Sequence, residues 1–137
     1  MVGKKSDKKT QNKELEKILD SRKANIRVIG AGGSGCNTVS RMNEVGIVGA
    51  EVVAVNTDAQ HLLYTDCDNK ILIGKDTTKG LGAGADPKLG EEAAKESKKE
   101  LQKIVDKSDM VFVTCGLGGG TGTGTLPVIA ETAKKSG

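Results

Sequence analysis

Gly116-Leu117-Gly118-Gly119-Gly120-Thr121-Gly122-Thr123-Gly124 decides the reading of this 137-residue chain. Six of the nine residues are glycine, and each costs chain entropy that folding must offset elsewhere. The stretch follows the apolar and β-branched run Met110 to Thr114 and precedes a helical pattern that starts near Thr125. A strand that feeds a glycine loop opening into a helix turns unpaired amides and the positive end of the helix dipole toward an anion. Thr121 and Thr123 add hydroxyl donors. A plain flexible linker is the competing reading, but linkers are not framed by an apolar strand and a patterned helix.

The rest of the chain repeats that plan. Ile26 to Ile29 form a short apolar strand ending in Gly30-Ala31-Gly32-Gly33-Ser34-Gly35-Cys36-Asn37. A helix follows, with Val39, Met42 and Val45 at i, i+3 spacing and Gly46 as its stop. Residues 51–55 make a second strand, nearly all apolar and so expected to be buried on both faces. It ends in Asn56-Thr57-Asp58, three short polar side chains at the edge where a ligand crevice lies. Residues 70–73 give a third strand, and Gly80-Leu81-Gly82-Ala83-Gly84-Ala85 a further glycine loop. Asp86-Pro87 then starts one helix, as N-cap and first-turn proline, with Leu89, Ala93, Leu101 and Ile104 or Val105 on one face. Leu126, Ile129, Ala130 and Ala133 stripe the last helix, and Pro127 is expected in its first turn. Alternating strands and helices predict an α/β, Rossmann-like parallel sheet with flanking helices, its glycine loops gathered at the carboxyl edge of the strands.

Charge and composition divide the chain in two. Residues 1–23 carry eight Lys/Arg against four acids, so this arm contributes +4 and the remainder −1. Residues 12–22 place Leu15, Ile18 and Leu19 on one side of a short docking helix. The arm around it reads as a solvated, partly disordered tail, with weak contact to nucleic acid or acidic lipid as the alternative; the body spans 24–137. A near-neutral body with two aromatics, Tyr64 and Phe112, argues against nucleic-acid binding. Cys36, Cys67 and Cys115 have no C-x-x-C spacing and His61 is the single histidine, so no zinc set forms and a reduced cytoplasmic chain is expected. No apolar run approaches the ~18 residues of a membrane span.

Gly30 to Gly35 fits G-x-G-x-x-G, so a fragment of an NAD(P)-dependent Rossmann oxidoreductase is an alternative, with Glu51 or Asp58 as the acid for the ribose. That reading does not predict the second and richer phosphate loop at 116–124. A Walker-type loop is excluded, since no G-x-x-x-x-G-K-[ST] occurs.

Taken together, Gly30 to Asn37, Asn56-Thr57-Asp58, Gly80 to Pro87 and above all GGGTGTG at 118–124 resemble FtsZ, the tubulin-related cell-division GTPases. The likeness runs from about residue 24 to the last residue and looks closest to archaeal members. It implies GTP or GDP with Mg²⁺ as ligand. Gly32, Gly33, Ser34, Gly35, Cys36 and Asn37 would hold phosphates from the first loop, and Asn56, Thr57 and Asp58 would lie near phosphates and ribose. Gly82, Ala83 and Gly84 would sense the γ-phosphate. Gly118, Gly119, Gly120, Thr121, Gly122, Thr123 and Gly124 would wrap the α- and β-phosphates. The chain departs from the family pattern at Cys36, Asp86 and Thr125-Leu126.

The resemblance also implies self-association into filaments, association with other cell-division proteins, and a place in the cytoplasm at the division site. It covers less than half of the family's core, stopping after the fourth strand and its helix. The base-reading residues and the acidic loop that positions the attacking water in the neighbouring subunit are therefore expected beyond residue 137. No catalytic or metal-ligating residue is assigned, and the chain alone is expected to be inactive. A truncated, non-catalytic binder of FtsZ filaments is the third reading.

Overall fold

The computed structural model describes the backbone of residues 3–137 and side chains from residue 7 onward. Lys4 and Lys5 of the basic arm thus have side chains outside the described residues. Helix α1 (Gly3–Arg22) starts nine residues earlier than the periodicity predicts, and its described side chains are all exposed. Leu15, Ile18 and Leu19 are among them.

Four strands follow: β1 (Ile26–Ala31), β2 (Ala50–Asn56), β3 (Asn69–Leu72) and β4 (Met110–Cys115). They form one parallel sheet in the order β3-β2-β1-β4. Side-chain alternation splits the core into two layers. Ile29, Ala31, Val53 and Val55 point to one face, and Val28 and Ala54 to the other. Helices α2 (Gly32–Val45) and α3 (Ala59–Tyr64) cover the Val28 face through Cys36, Val39 and Leu62. Helices α4 (Pro87–Glu96), α5 (Lys98–Val105) and α6 (Thr121–Lys135) cover the other through Ala93, Leu101, Val105 and Ile129. Each of the two inner strands is thus buried on both sides, as continuous apolar runs require. Arg27 ties the N-terminal edge of the sheet to the end of α5. Its guanidinium pairs with Glu51 at 3.0 Å and donates to the Ile104 carbonyl.

Three expectations are corrected. The single helix after Asp86 is two, broken at Ser97, whose Oγ accepts the Gly74 N–H at 3.0 Å. Helix α3 lies where no helix is predicted. The last helix begins at Thr121 and not near Thr125, so Pro127 sits inside it, past the first turn. There it leaves the Thr123 carbonyl without its usual i+4 donor.

Candidate functional site

At the carboxyl edge of the sheet four helices begin within reach of one cleft. Two are capped by aspartates: the Asp58 carboxylate accepts the His61 N–H at 2.9 Å for α3, and the Asp86 carboxylate accepts the Lys88 N–H at 3.0 Å for α4. The other two, α2 and α6, begin at Ala31 and Gly120 and have no side-chain cap. Their first turns are the glycine motifs themselves, Gly32-Gly33-Ser34 and Thr121-Gly122-Thr123. The motifs read as loops are thus helix starts, with amides and dipoles directed outward.

Close backbone approach accounts for Gly32 and Gly122. A β-carbon on Gly32, which also has φ of +74°, would lie 2.9 Å from the Gly122 nitrogen. One on Gly122 would lie 2.9 Å from the Gly116 carbonyl oxygen and 3.1 Å from Cys115 Cβ. Only bare backbone fits where the two helices start side by side.

The resulting cleft measures about 540 Å³. Of the sequence-predicted residues, Gly32, Gly33, Ser34, Asn56, Asp58, Gly82, Ala83, Gly84, Gly119, Gly120, Thr121 and Gly122 line it. The segment 80–84 is held against the strand end by backbone hydrogen bonds. Gly82 N–H donates to the Thr57 carbonyl at 3.2 Å, Ala59 N–H to the Gly80 carbonyl at 3.0 Å, and Asp58 bridges Leu81. Gly80, Gly82 and Gly84 all have positive φ there.

The remaining predicted residues lie outside the lining. Gly35 and Gly124 are packing glycines. A β-carbon on Gly35 would lie 2.5 Å from the Thr114 carbonyl oxygen, and one on Gly124 2.5 Å from the Glu91 nitrogen, where α4 crosses α6. Cys36 is fully buried beneath the sheet, with its thiol toward the Val55 carbonyl, and burial pushes that thiol above its usual range. Thr57 is fully buried and joined to Thr121. Asn37 is exposed and bonded across to His61 on α3, while Thr123 accepts the Gly118 N–H at 3.0 Å within its own loop. Asn56 lines the cleft, but its amide oxygen accepts the N–H groups of Thr57 and Asp58, so it shapes the turn.

Ala31, His61, Leu81, Ala85, Gly116 and Leu117 also line the cleft and are missed as site residues by sequence reasoning. Five of these fall inside the glycine motifs themselves, whereas His61 lies outside them and has as its signal only its place three residues after Asp58, as an N-cap sets it. No Lys or Arg is among the lining residues, so apart from His61 only backbone amides and helix dipoles can offer positive charge there. Among the described residues no group of three His, Cys, Asp or Glu could hold a metal ion, and no helix is long and apolar enough to cross a membrane.

Residues 25–137 match the model of the Tubulin/FtsZ family, GTPase domain. The chain is 65% identical over 126 residues to cell division protein FtsZ 1 of Pyrococcus abyssi, covering 92% of this chain and 34% of that protein. It superposes on an empty FtsZ dimer structure from M. jannaschii with a TM-score of 0.86 at 59% identity, over 93% of this chain and 37% of the other. On GDP-bound monomeric CetZ1 of Haloferax volcanii the TM-score is 0.72 at 38% identity, over 81% and 38% of the two chains. The chain therefore spans about a third of the length of the curated relatives it matches.

Proposed function

Since the chain belongs to the Tubulin/FtsZ family across residues 25–137, we propose that its cleft holds the phosphates of GTP or GDP. The observation that carries this is the pair of helices, α2 and α6, that start side by side at one cleft with no side-chain cap on either. Free amides and two dipoles converging on one volume suit a polyphosphate better than a neutral ligand. Gly32, Gly33 and Ser34 would donate from one side, Gly119 to Gly122 from the other, with Ala83 and Gly84 beside the terminal phosphate and Asp58 toward the ribose. Among the described residues no side-chain cluster forms a metal cage, so Mg²⁺ fits as a companion of the phosphates, where it would neutralise charge on their oxygens.

In the whole protein this site would serve GTP hydrolysis coupled to self-association in cell division. Two relatives support that extension: one is called a cell division protein, and the solved FtsZ is described as a dimer. No residue of the cleft is assigned as the base that activates water, and that group would come from a neighbouring subunit. Partners in the division apparatus and a cytoplasmic site of action belong to the same proposal.

Calorimetry with GDP, GTP and NAD, each with Mg²⁺, tests the reading. GDP and GTP are expected to bind the chain and its Gly122→Val variant to lose them. Binding of NAD in preference to GTP, indifferent to Gly122→Val, would overturn it.

A further inference from the structure

His61 lines the cleft, and its ring lies over the first turn of α2. A β-carbon on Gly33 would sit 3.1 Å from Cε1 and 3.3 Å from Nδ1 of the imidazole. On the far side of the ring Nε2 is 3.1 Å from Asn37 Oδ1. Resting on the phosphate reading of this cleft, we propose that His61 supplies its cationic side chain. A protonated Nδ1 donates to a phosphate oxygen, so that nucleotide binding takes up a proton from solvent.

The tautomer makes the argument. With the Asn37 amide oxygen as acceptor Nε2 is the donor, which leaves Nδ1 of a neutral ring as a bare lone pair over Gly33. A phosphate oxygen there meets repulsion from the neutral ring and a charge-assisted hydrogen bond from the protonated one. Binding and protonation are then linked, and each promotes the other.

Neighbouring ionisable groups leave this role to His61. Asp58, on the same helix, has its carboxylate bonded to the His61 main-chain N–H, and Tyr64 is exposed one turn on. From α2 come Cys36, which is buried, and Arg41 and Glu44, which pair with each other at 3.0 Å. The segment before α4 brings Lys79 and Asp86, the latter capping Lys88. Residues 116–124 contribute no charged side chain. Carboxylates, lysine and arginine keep their charge between pH 6 and 8, whereas histidine ordinarily changes there.

The test is titration calorimetry of GDP with Mg²⁺ at pH 6, 7 and 8, in buffers of differing ionisation enthalpy, for the wild type and His61→Gln. The nucleotide's own titration is common to both proteins and cancels in the comparison. Wild type is expected to take up more protons on binding than His61→Gln, and its affinity advantage over the variant to shrink roughly tenfold from pH 6 to 8. Asn37→Asp, which offers Nε2 a carboxylate, is expected to move the proton uptake to higher pH. A purely structural His61 would alter affinity without altering the proton count. Equal proton counts in wild type and His61→Gln would overturn the inference while leaving the cleft reading intact. Absence of GDP binding at every pH would overturn both.

Discussion

The side-chain oxygens of Thr57 and Thr121 lie 2.6 Å apart, joining the end of β2 to the first residue of α6. Thr57 is fully buried, so its hydroxyl has no water to replace a lost partner. This bond fixes the distance between two walls of the cleft. Thr121→Val keeps the shape and removes the partner, stranding the Thr57 hydroxyl. A loss of about 1–3 kcal/mol in urea unfolding is expected. Thr57→Val in the same background should recover part of it, since both groups are then apolar, and a double-mutant cycle measures the coupling.

Glycines of the signature divide into those that pack and those that merely line. Gly122 has backbone within 2.9 Å of a would-be β-carbon, whereas Gly119 has nothing within 4 Å. Gly122→Ala is therefore expected to destabilise the fold by roughly 1–3 kcal/mol through overpacking. Gly119→Val should stay within about 0.5 kcal/mol of wild type. If nucleotide phosphates approach the loop, the same Gly119→Val should still weaken GDP binding at least tenfold. Unfolding and binding assays run side by side separate the two effects.

The strands and the sheet were legible in the sequence because each is a short apolar run flanked by turn residues, and parallel order follows from alternation with helices. The helix starts were not. Glycine is a poor helix former, so Gly32-Gly33 and Gly122 to Gly124 read as loop. They are helical because their backbones must pass where no side chain fits, a tertiary demand without a local signature. Helix α3 escaped because six residues carry too little periodicity, although Asp58 was available as a cap. The break at Ser97 depends on Gly74, twenty-three residues away, and no window of sequence contains both. The cleft was legible as a set of loops converging on one edge. Which members face it was not, since Cys36 and Gly124 differ from Gly33 and Gly122 only in the side of the helix they occupy.

Glu96 anchors the start of the segment that closes the cleft. Its carboxylate accepts the N–H groups of Asp76 and Thr77 and the Thr77 hydroxyl, and these bonds hold its carboxyl below the usual glutamate range. A depressed folded-state value means the contribution is complete above the ordinary glutamate range and is lost as pH falls through the lower, folded value. Segment 74–85 should therefore loosen selectively in acid, below about pH 4. Hydrogen exchange of residues 76–82 at pH 3 and pH 7 checks this. Glu96→Gln, which carries no titratable group, should show weaker protection at pH 7 and a smaller change between the two pH values.

β4 is one of the two edges of the four-stranded sheet, paired on one side with β1. Its residues Met110 and Phe112 are about half exposed. An apolar edge strand with unpaired amides is a template for another strand. The 137-residue chain is thus expected to self-associate as its concentration rises, through β4 and not through the cleft. Sedimentation velocity over a range from micromolar to hundreds of micromolar should show a shift to larger species. A charge at Phe112, as Phe112→Lys, should return the chain to monomer without loss of fold, since the position sits on the rim of the core. GDP should leave the association unchanged, because β4 presents its open edge on the side away from β1, whereas the cleft lies beyond the carboxyl ends of the strands. A chain that stays monomeric throughout, or whose association vanishes with nucleotide, would show that this edge is protected in some other way.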